Sequence, residues 1–332
     1  MEEWSPNSIH QLYSKVYCGD NDALLNLEQI ASIDGNNLAI AYLANALFTQ
    51  HYIMNKRRAI SLATSVMSWL EEQAEFDPFA QFNYGRFFNM GIGVPQDNFN
   101  AVKYYRRAAA QGHPTAISNL AFCLYAGEGM GKNTLQALVY YNQAVSLNDV
   151  AALNNIAVMY TVGNIDVPRD PVKAVEYYRR AADMGYAMAQ CNLAFCYRDG
   201  NGVGQSFTDA FKYFKLSSFQ KYPPAYLSLS VCYKSGEGVE RNFKESYRYL
   251  QLSKNISEMT RIDRHYNLYL AYVKAFKCEY PNEYDQEDRW YRRMKALWLS
   301  SPDFMIDVNN QQQNNLLYKV SPDVAKLCIL YL

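Results

Sequence analysis

The sequence has almost no net charge, few histidines and no long apolar run, and each shortage removes a class of function. Its 32 basic residues balance 32 acidic ones over 332 positions, so neither sign dominates as it does in nucleic-acid or membrane-surface proteins. The longest apolar stretch, Leu38 to Phe48, is too short to cross a bilayer. The opening residues, MEEWSPNSIH, lack the basic, apolar and small-residue order of a secretory signal. His10, His51, His113 and His265 are scattered, none three or four residues from another His or Cys, so the spacing of a zinc site is missing.

What the chain has instead is tyrosine, 29 of them, at recurring positions. The pair "YY" opens at Tyr104, Tyr140 and Tyr177, and returns as "YF" at Tyr213, in steps of 36, 37 and 36 residues. Asn83, Asn119, Asn155 and Asn192 keep the same step, continued by Ser228. A period of this length denotes stacked supersecondary units, which build a surface more readily than a catalytic pocket.

One unit reads as two helices. In Phe79 to Gly112, "FAQFNYGRFFNM" has no internal breaker and closes at Gly91. The second half places Ala101, Tyr104, Tyr105 and Ala108 at i, i+3, i+4 and i+7, one apolar helical stripe. Glycines at 91, 127, 163, 200 and 236 follow the Asn ladder by eight residues, and Gly93, Gly129, Gly202 and Gly238 come two later. Such a G-x-G turn reverses the chain at positive φ. The third unit departs from it, with Ile165 in place of the second glycine, Pro168 and one added residue, so its loop is expected to differ.

Small residues form columns at Ala101, Ala137, Ala174 and Ala210 and at Ala108, Ala144 and Ala181, where helices are expected to approach closely. Cys123, Cys196 and Cys232 share one column with Phe87 and Met159, a buried apolar site. Seven cysteines is an odd number, and Cys191 and Cys196, the two in one unit, point apart on a helix. Reduced thiols and a cytoplasmic location follow.

Five units are clear, 79–113, 114–149, 150–185, 186–221 and 222–255, flanked by degenerate helical segments at 1–78 and 256–332. In the first flank, "LAIAYLANALF" and "RRAISLATSVMSWL" suggest a hairpin without the glycine loop. In the second, "RHYNLYLAYVKAF" and "EDRWYRRMKALW" suggest another, followed by "NNQQQNN" and an apolar cap from Leu327 to Leu332. Segments such as "AISNLAFCLYAGEGM…ALVYYNQAVSLN" and "AMAQCNLAFCYRDGNGV…AFKYFKLSSFQK" resemble the Sel-one-like repeat, a relative of the tetratricopeptide repeat. The resemblance implies an all-α solenoid, a right-handed superhelix of about seven antiparallel hairpins. It also implies adaptor or scaffold work, as in bacterial signalling and host interaction or eukaryotic quality control. The cysteine pairing of secreted members of that family is missing.

Patterns that suggest chemistry have plainer explanations. "GEGMGKNT", Gly127 to Thr134, imitates a phosphate loop but is one residue short, has Asn133 after Lys132 and follows a helix. Glu283, Asp285, Glu287 and Asp288 read as the solvated start of the helix bearing Trp290. The expected function is therefore non-catalytic binding of a protein or peptide in a concave groove, with no cofactor, metal, nucleic acid or membrane insertion. The candidate contacts lie on the first helices: Asn83, Arg86, Asn119, Phe122, Asn154, Asn155, Asn192, Phe195 and Arg198. Helical spacing puts Phe82, Ser118 and Val158 on the same face. The amides either meet a partner backbone or bond the neighbouring repeat, and Phe122 and Phe195 are either contact surface or inter-repeat core. An enzyme or enzyme regulator working through the degenerate ends is the alternative. A virulence or immunity factor is a third reading, differing in its partner alone.

Overall fold

The computed structural model describes residues 4–33, 35–49 and 53–260. The expected C-terminal hairpin and cap, the acidic cluster after Pro281, His51 and His265 lie outside them. The described residues form helices α1 (Pro6–Tyr17), α2 (Asn21–Ile33), α3 (Asn37–Thr49), α4 (Ile53–Gln73), α5 (Pro78–Met90), α6 (Asn98–Ala110), α7 (Pro114–Ala126), α8 (Thr134–Ser146), α9 (Val150–Val162), α10 (Pro171–Asp183), α11 (Ala187–Asp199), α12 (Phe207–Phe219), α13 (Pro223–Ser235) and α14 (Phe243–Thr260). Each odd-numbered helix pairs with the next, and successive hairpins stack into an all-α solenoid. The segment before the clear repeats supplies two hairpins, one more than its sequence suggested.

Helix boundaries follow local chemistry. Asp77, Asp97, Asn133, Asp149, Asp170 and Ser206 each accept a backbone N–H in the first turn of the helix they precede. Pro78, Pro114, Pro171 and Pro223 stand where a first-turn N–H has no helical partner anyway. Gly91, Gly127, Gly200 and Gly236 end α5, α7, α11 and α13 in the left-handed conformation.

The tyrosine pair divides its work. The second member, Tyr105, Tyr141, Tyr178 or Phe214, is buried with the alanine columns. The first stacks half-exposed on an aromatic ring of the preceding helix. Phe88 and Tyr104 lie 6.0 Å apart at 3°, Tyr160 and Tyr177 6.0 Å at 17°, and Tyr197 and Tyr213 5.8 Å at 9°. One residue thus ties a hairpin to the stack and its neighbour ties the two helices together.

The second loop glycine has a role beyond its φ. A Cβ on Gly202 would lie 2.1 Å from the carbonyl oxygen of Pro171, and one on Gly238 2.0 Å from that of Phe207. Each loop therefore rests on the start of the previous hairpin's second helix. The third loop solves the same problem differently, as its sequence foretold. Gly163 adopts φ 67 and ψ 158, Asn164 Oδ1 accepts from the N–H groups of Asp166 and Val167, and Asn164 Nδ2 donates to Thr134 Oγ1 of the previous hairpin at 3.1 Å. Val167 tucks inward while Ile165 faces solvent.

Candidate functional site

The first-helix face is not open along its whole length, because α1 lies on part of it. His10 and Tyr13 of α1 pack on Tyr42 of α3 and Phe82 of α5. The ring of His10 comes within 4.6 Å of His113, which caps α7. The turn after α1 goes further. The carbonyl oxygen of Cys18 lies 3.4 Å from where a Cβ on Gly185 would be, just before α11. Gly19 meets the side chain of Gln220, at the end of α12, so closely that a Cβ would stand 2.4 Å from its Oε1. Repeats ordinarily touch their neighbours alone; this N-terminal hairpin crosses several of them.

A hydrogen-bonded chain fixes the crossing. His113 Nδ1 accepts from Ala116 N at 3.2 Å, which assigns its proton to Nε2. Nε2 then donates to Tyr42 Oη at 3.2 Å, and the Tyr42 hydroxyl donates to His10 Nδ1 at 3.0 Å. Both imidazoles are neutral. Burial pushes His10 down to about 4. His113 falls well below its usual range through burial and the neighbouring His10. Burial, then Asp77, raises the Tyr42 phenol. The two histidines are 103 positions apart in sequence, so no spacing rule could pair them.

The candidate contacts divide into two groups. Asn83 and Asn154 are corrected to interior residues, with 0% and 1% exposure, because adjacent first helices use their amides on one another. Asn45 Nδ2 donates to Asn83 Oδ1 at 2.6 Å, and Asn192 Nδ2 donates to Asn154 Oδ1 at 3.0 Å. The same burial removes Phe82, under α1, and Ser118, which bonds the Asp149 carboxylate. Arg198 is already engaged, with two bonds to Asp199 at 2.7 and 3.1 Å and its guanidinium 4.9 Å above the Phe195 ring. Phe195 in turn meets Phe214 edge-on at 5.0 Å.

The accessible remainder is one lane further along the same helices. Arg86, Val158 and Phe195 are half-exposed and Phe122 is 43% exposed, at equivalent positions of α5, α9, α11 and α7. Asn119 and Asn155 are half-buried beside them. Asn119 Nδ2 has no hydrogen-bond partner among the described residues.

Two clefts lie elsewhere. One of about 550 Å³ between the loops before α6 and α8 is lined by Phe88, Asp97, Phe99 and Gly129, and one of about 310 Å³ by Trp4, Asn36, Trp69 and Asp77. Each holds one carboxylate, and that carboxylate caps a helix. Among the described residues no group of three or more His, Cys, Asp or Glu gathers to hold a metal ion, and no helix is long and apolar enough to cross a membrane.

A model of the Sel1 repeat matches residues 78–113, 114–149, 150–186, 187–218 and 223–255. No curated protein matches the chain. Among solved structures, a Sel1 repeat protein from Oxalobacter formigenes is 28% identical, covering 70% of this chain and 96% of its own, with a TM-score of 0.56. The protective antigen c5321 of uropathogenic Escherichia coli, with an SLR fold, is 18% identical over 93% of this chain and 82% of its own, at 0.41. The immunity protein Pa5087 from Pseudomonas aeruginosa is 24% identical over 56% and 66%, at 0.41. Sel1 repeat proteins generally serve as protein-interaction scaffolds, on a fold that is typically non-catalytic. With five matched units spanning more than half its length, stacked as the period requires, this chain belongs to the Sel1 repeat family.

Proposed function

We propose that the protein is a non-catalytic adaptor that holds a partner protein or peptide against the lane formed by Arg86, Phe122, Val158 and Phe195. The observation that carries this reading is Phe122, 43% exposed at a position whose equivalents on the stacked helices are also only half covered. Aromatic side chains at the centre of such a lane are the usual anchors of an interface. Asn119, one turn before Phe122, adds an amide whose Nδ2 has no hydrogen-bond partner among the described residues. The described thiols of Cys18, Cys123, Cys191, Cys196 and Cys232 are free, which suits a reducing cytoplasm.

The test compares the tagged full chain with its Phe122→Asp, Val158→Asp double variant in affinity purification from the native cell. At least one captured protein is expected to drop by about tenfold or more, since truncated anchors commonly cost 2 kcal/mol or more. The melting temperature is expected to stay within about 3 °C. An unchanged set of captured proteins refutes the lane.

A further inference from the structure

Among the described residues the N-terminal helix is the one element that breaks the neighbour rule, and its chemistry is that of a ligand seated on the solenoid. Ile9, Tyr13 and Val16 form an apolar stripe at i, i+4 and i+7, all buried, with His10 beside them. The opposite side, Gln11 and Lys15, is exposed. Ser5 caps the helix and Pro6 starts it, so α1 is complete as a local structure. The surface beneath it comes from α3, α5 and the junctions before α7 and α11. The link between α2 and α3 runs through Gly35, at φ 59 with nothing within 4 Å of a Cβ.

We propose that α1 is a built-in occupant of a helix-binding seat, and that a partner engages the solenoid by presenting an amphipathic helix of the same pattern in its place. This deepens the adaptor reading and rests on it: the seat adjoins the Phe122 lane, one helical turn away on the same first helices. The partner chemistry is set by what α1 supplies: two aliphatic side chains and an aromatic one at i, i+7 and i+4, with a neutral acceptor where His10 Nδ1 meets the Tyr42 hydroxyl. While α1 is seated the site is closed, so the protein regulates its own binding.

The geometry offers a lock. A Cβ on residue 185 would lie 3.7 Å from Cys18 Cβ, close to the roughly 3.8 Å mean for disulfides. Gly185 has φ 88, yet Asn148 and Lys221 occupy the same junction position in neighbouring repeats at φ 62 and 59, so cysteine can stand there. In full-length Gly185→Cys a disulfide from Cys18 to the introduced thiol holds α1 down, and the reduced chain leaves α1 free to exchange with a competing helix. The probe is a fluorescein-labelled synthetic peptide copying residues 4–20, followed by anisotropy.

Saturable binding to the reduced chain, weakened at least about tenfold on oxidation, is the expected result. A peptide that binds both states equally, or neither, overturns the proposal. Hydrogen exchange of the unmodified chain asks the same question without a substitution. Amides of α1 are expected to exchange at least about tenfold faster than those of α7 and α9. Exchange of all three at one rate overturns the proposal. Neither readout involves the unidentified partner, so the Phe122 lane can fail while the seat stands, and the reverse.

Discussion

From α5 to α14 the packing is local and repeated, whereas α1 and its turn meet groups as distant in sequence as His113, Gly185 and Gln220. The repeats spread their cohesion over many recurring contacts: alanine columns, glycine loops, and a stacked aromatic pair in four of the five hairpins from α5 to α14. The N-terminal hairpin concentrates its own in one aromatic knot around the His113–Tyr42–His10 chain. A stack of local units weakens gradually when one contact is lost, while a single long-range closure is held or released as a whole. The two regions should therefore respond differently to the same kind of insult.

Acid is the strongest way to separate them. The folded chain keeps His10 neutral down to about pH 4, whereas an unfolded histidine takes its proton near 6.5. Between those values the unfolded state binds more protons, so stability is full above about 6.5 and drains away as the pH falls toward 4. The loss attributable to His10 is on the order of 3 kcal/mol. Urea midpoints at pH 7 and pH 4 measure it, against a His10→Asn chain whose amide oxygen replaces Nδ1 as the Tyr42 acceptor without titrating. If the two chains lose equal stability on acidification, the histidine knot is not what distinguishes this region.

The glycine loops give the next effect. Gly202→Ala drives a Cβ to within 2.1 Å of the Pro171 carbonyl at φ 76, whereas Gly112→Ala meets nothing within 4 Å at φ 80. The first is expected to cost about 2–3 kcal/mol through overpacking, the second about 1 kcal/mol through backbone conformation alone. Thermal unfolding of both chains measures the gap, and equal costs would mean that the loops do not carry the stacking.

How far these features were legible depends on whether their cause is periodic. The hairpins, the caps, the tyrosine stripe, the cysteine column and the odd third loop all follow from residues within one unit and its neighbour. Phe82 shares a face with Ser118 by helical spacing, but its burial depends on α1, which carries no trace of the period. Asn83 illustrates the same limit from inside the array, since a ladder of amides looks alike whether it faces a ligand or the next amide. His10, Tyr42 and His113 lie at no common spacing, so nothing in the sequence pointed them at one another.

The amides themselves supply a third test. Asn83→Ala removes the interior hydrogen bond that Asn45 Nδ2 donates across the junction and is expected to cost about 1–3 kcal/mol. Asn119→Ala removes a donor that has no partner among the described residues and is expected to cost less than about 0.5 kcal/mol, while lowering partner capture. Equal destabilisation would make Asn119 another packing residue and take it out of the binding lane.

The smallest expected effect lies where the two regions meet. Lys221 sits at φ 59, next to Gln220, on whose side chain Gly19 rests. A left-handed conformation costs a lysine about 1 kcal/mol. Glycine removes that strain but loses roughly 0.5 kcal/mol to its freer unfolded chain, so Lys221→Gly is expected to gain about 0.5 kcal/mol. Asn148→Gly, at φ 62 at the equivalent position two repeats earlier, should gain less, because asparagine tolerates the conformation. Where the gain appears is as informative as its size. A rise in melting temperature with unchanged hydrogen exchange in α1 assigns the turn to the repeat alone. Slower exchange in α1 means that the strained turn and the seated helix share one equilibrium, and the N-terminal hairpin is then coupled to the stack through its last contact as well as its first.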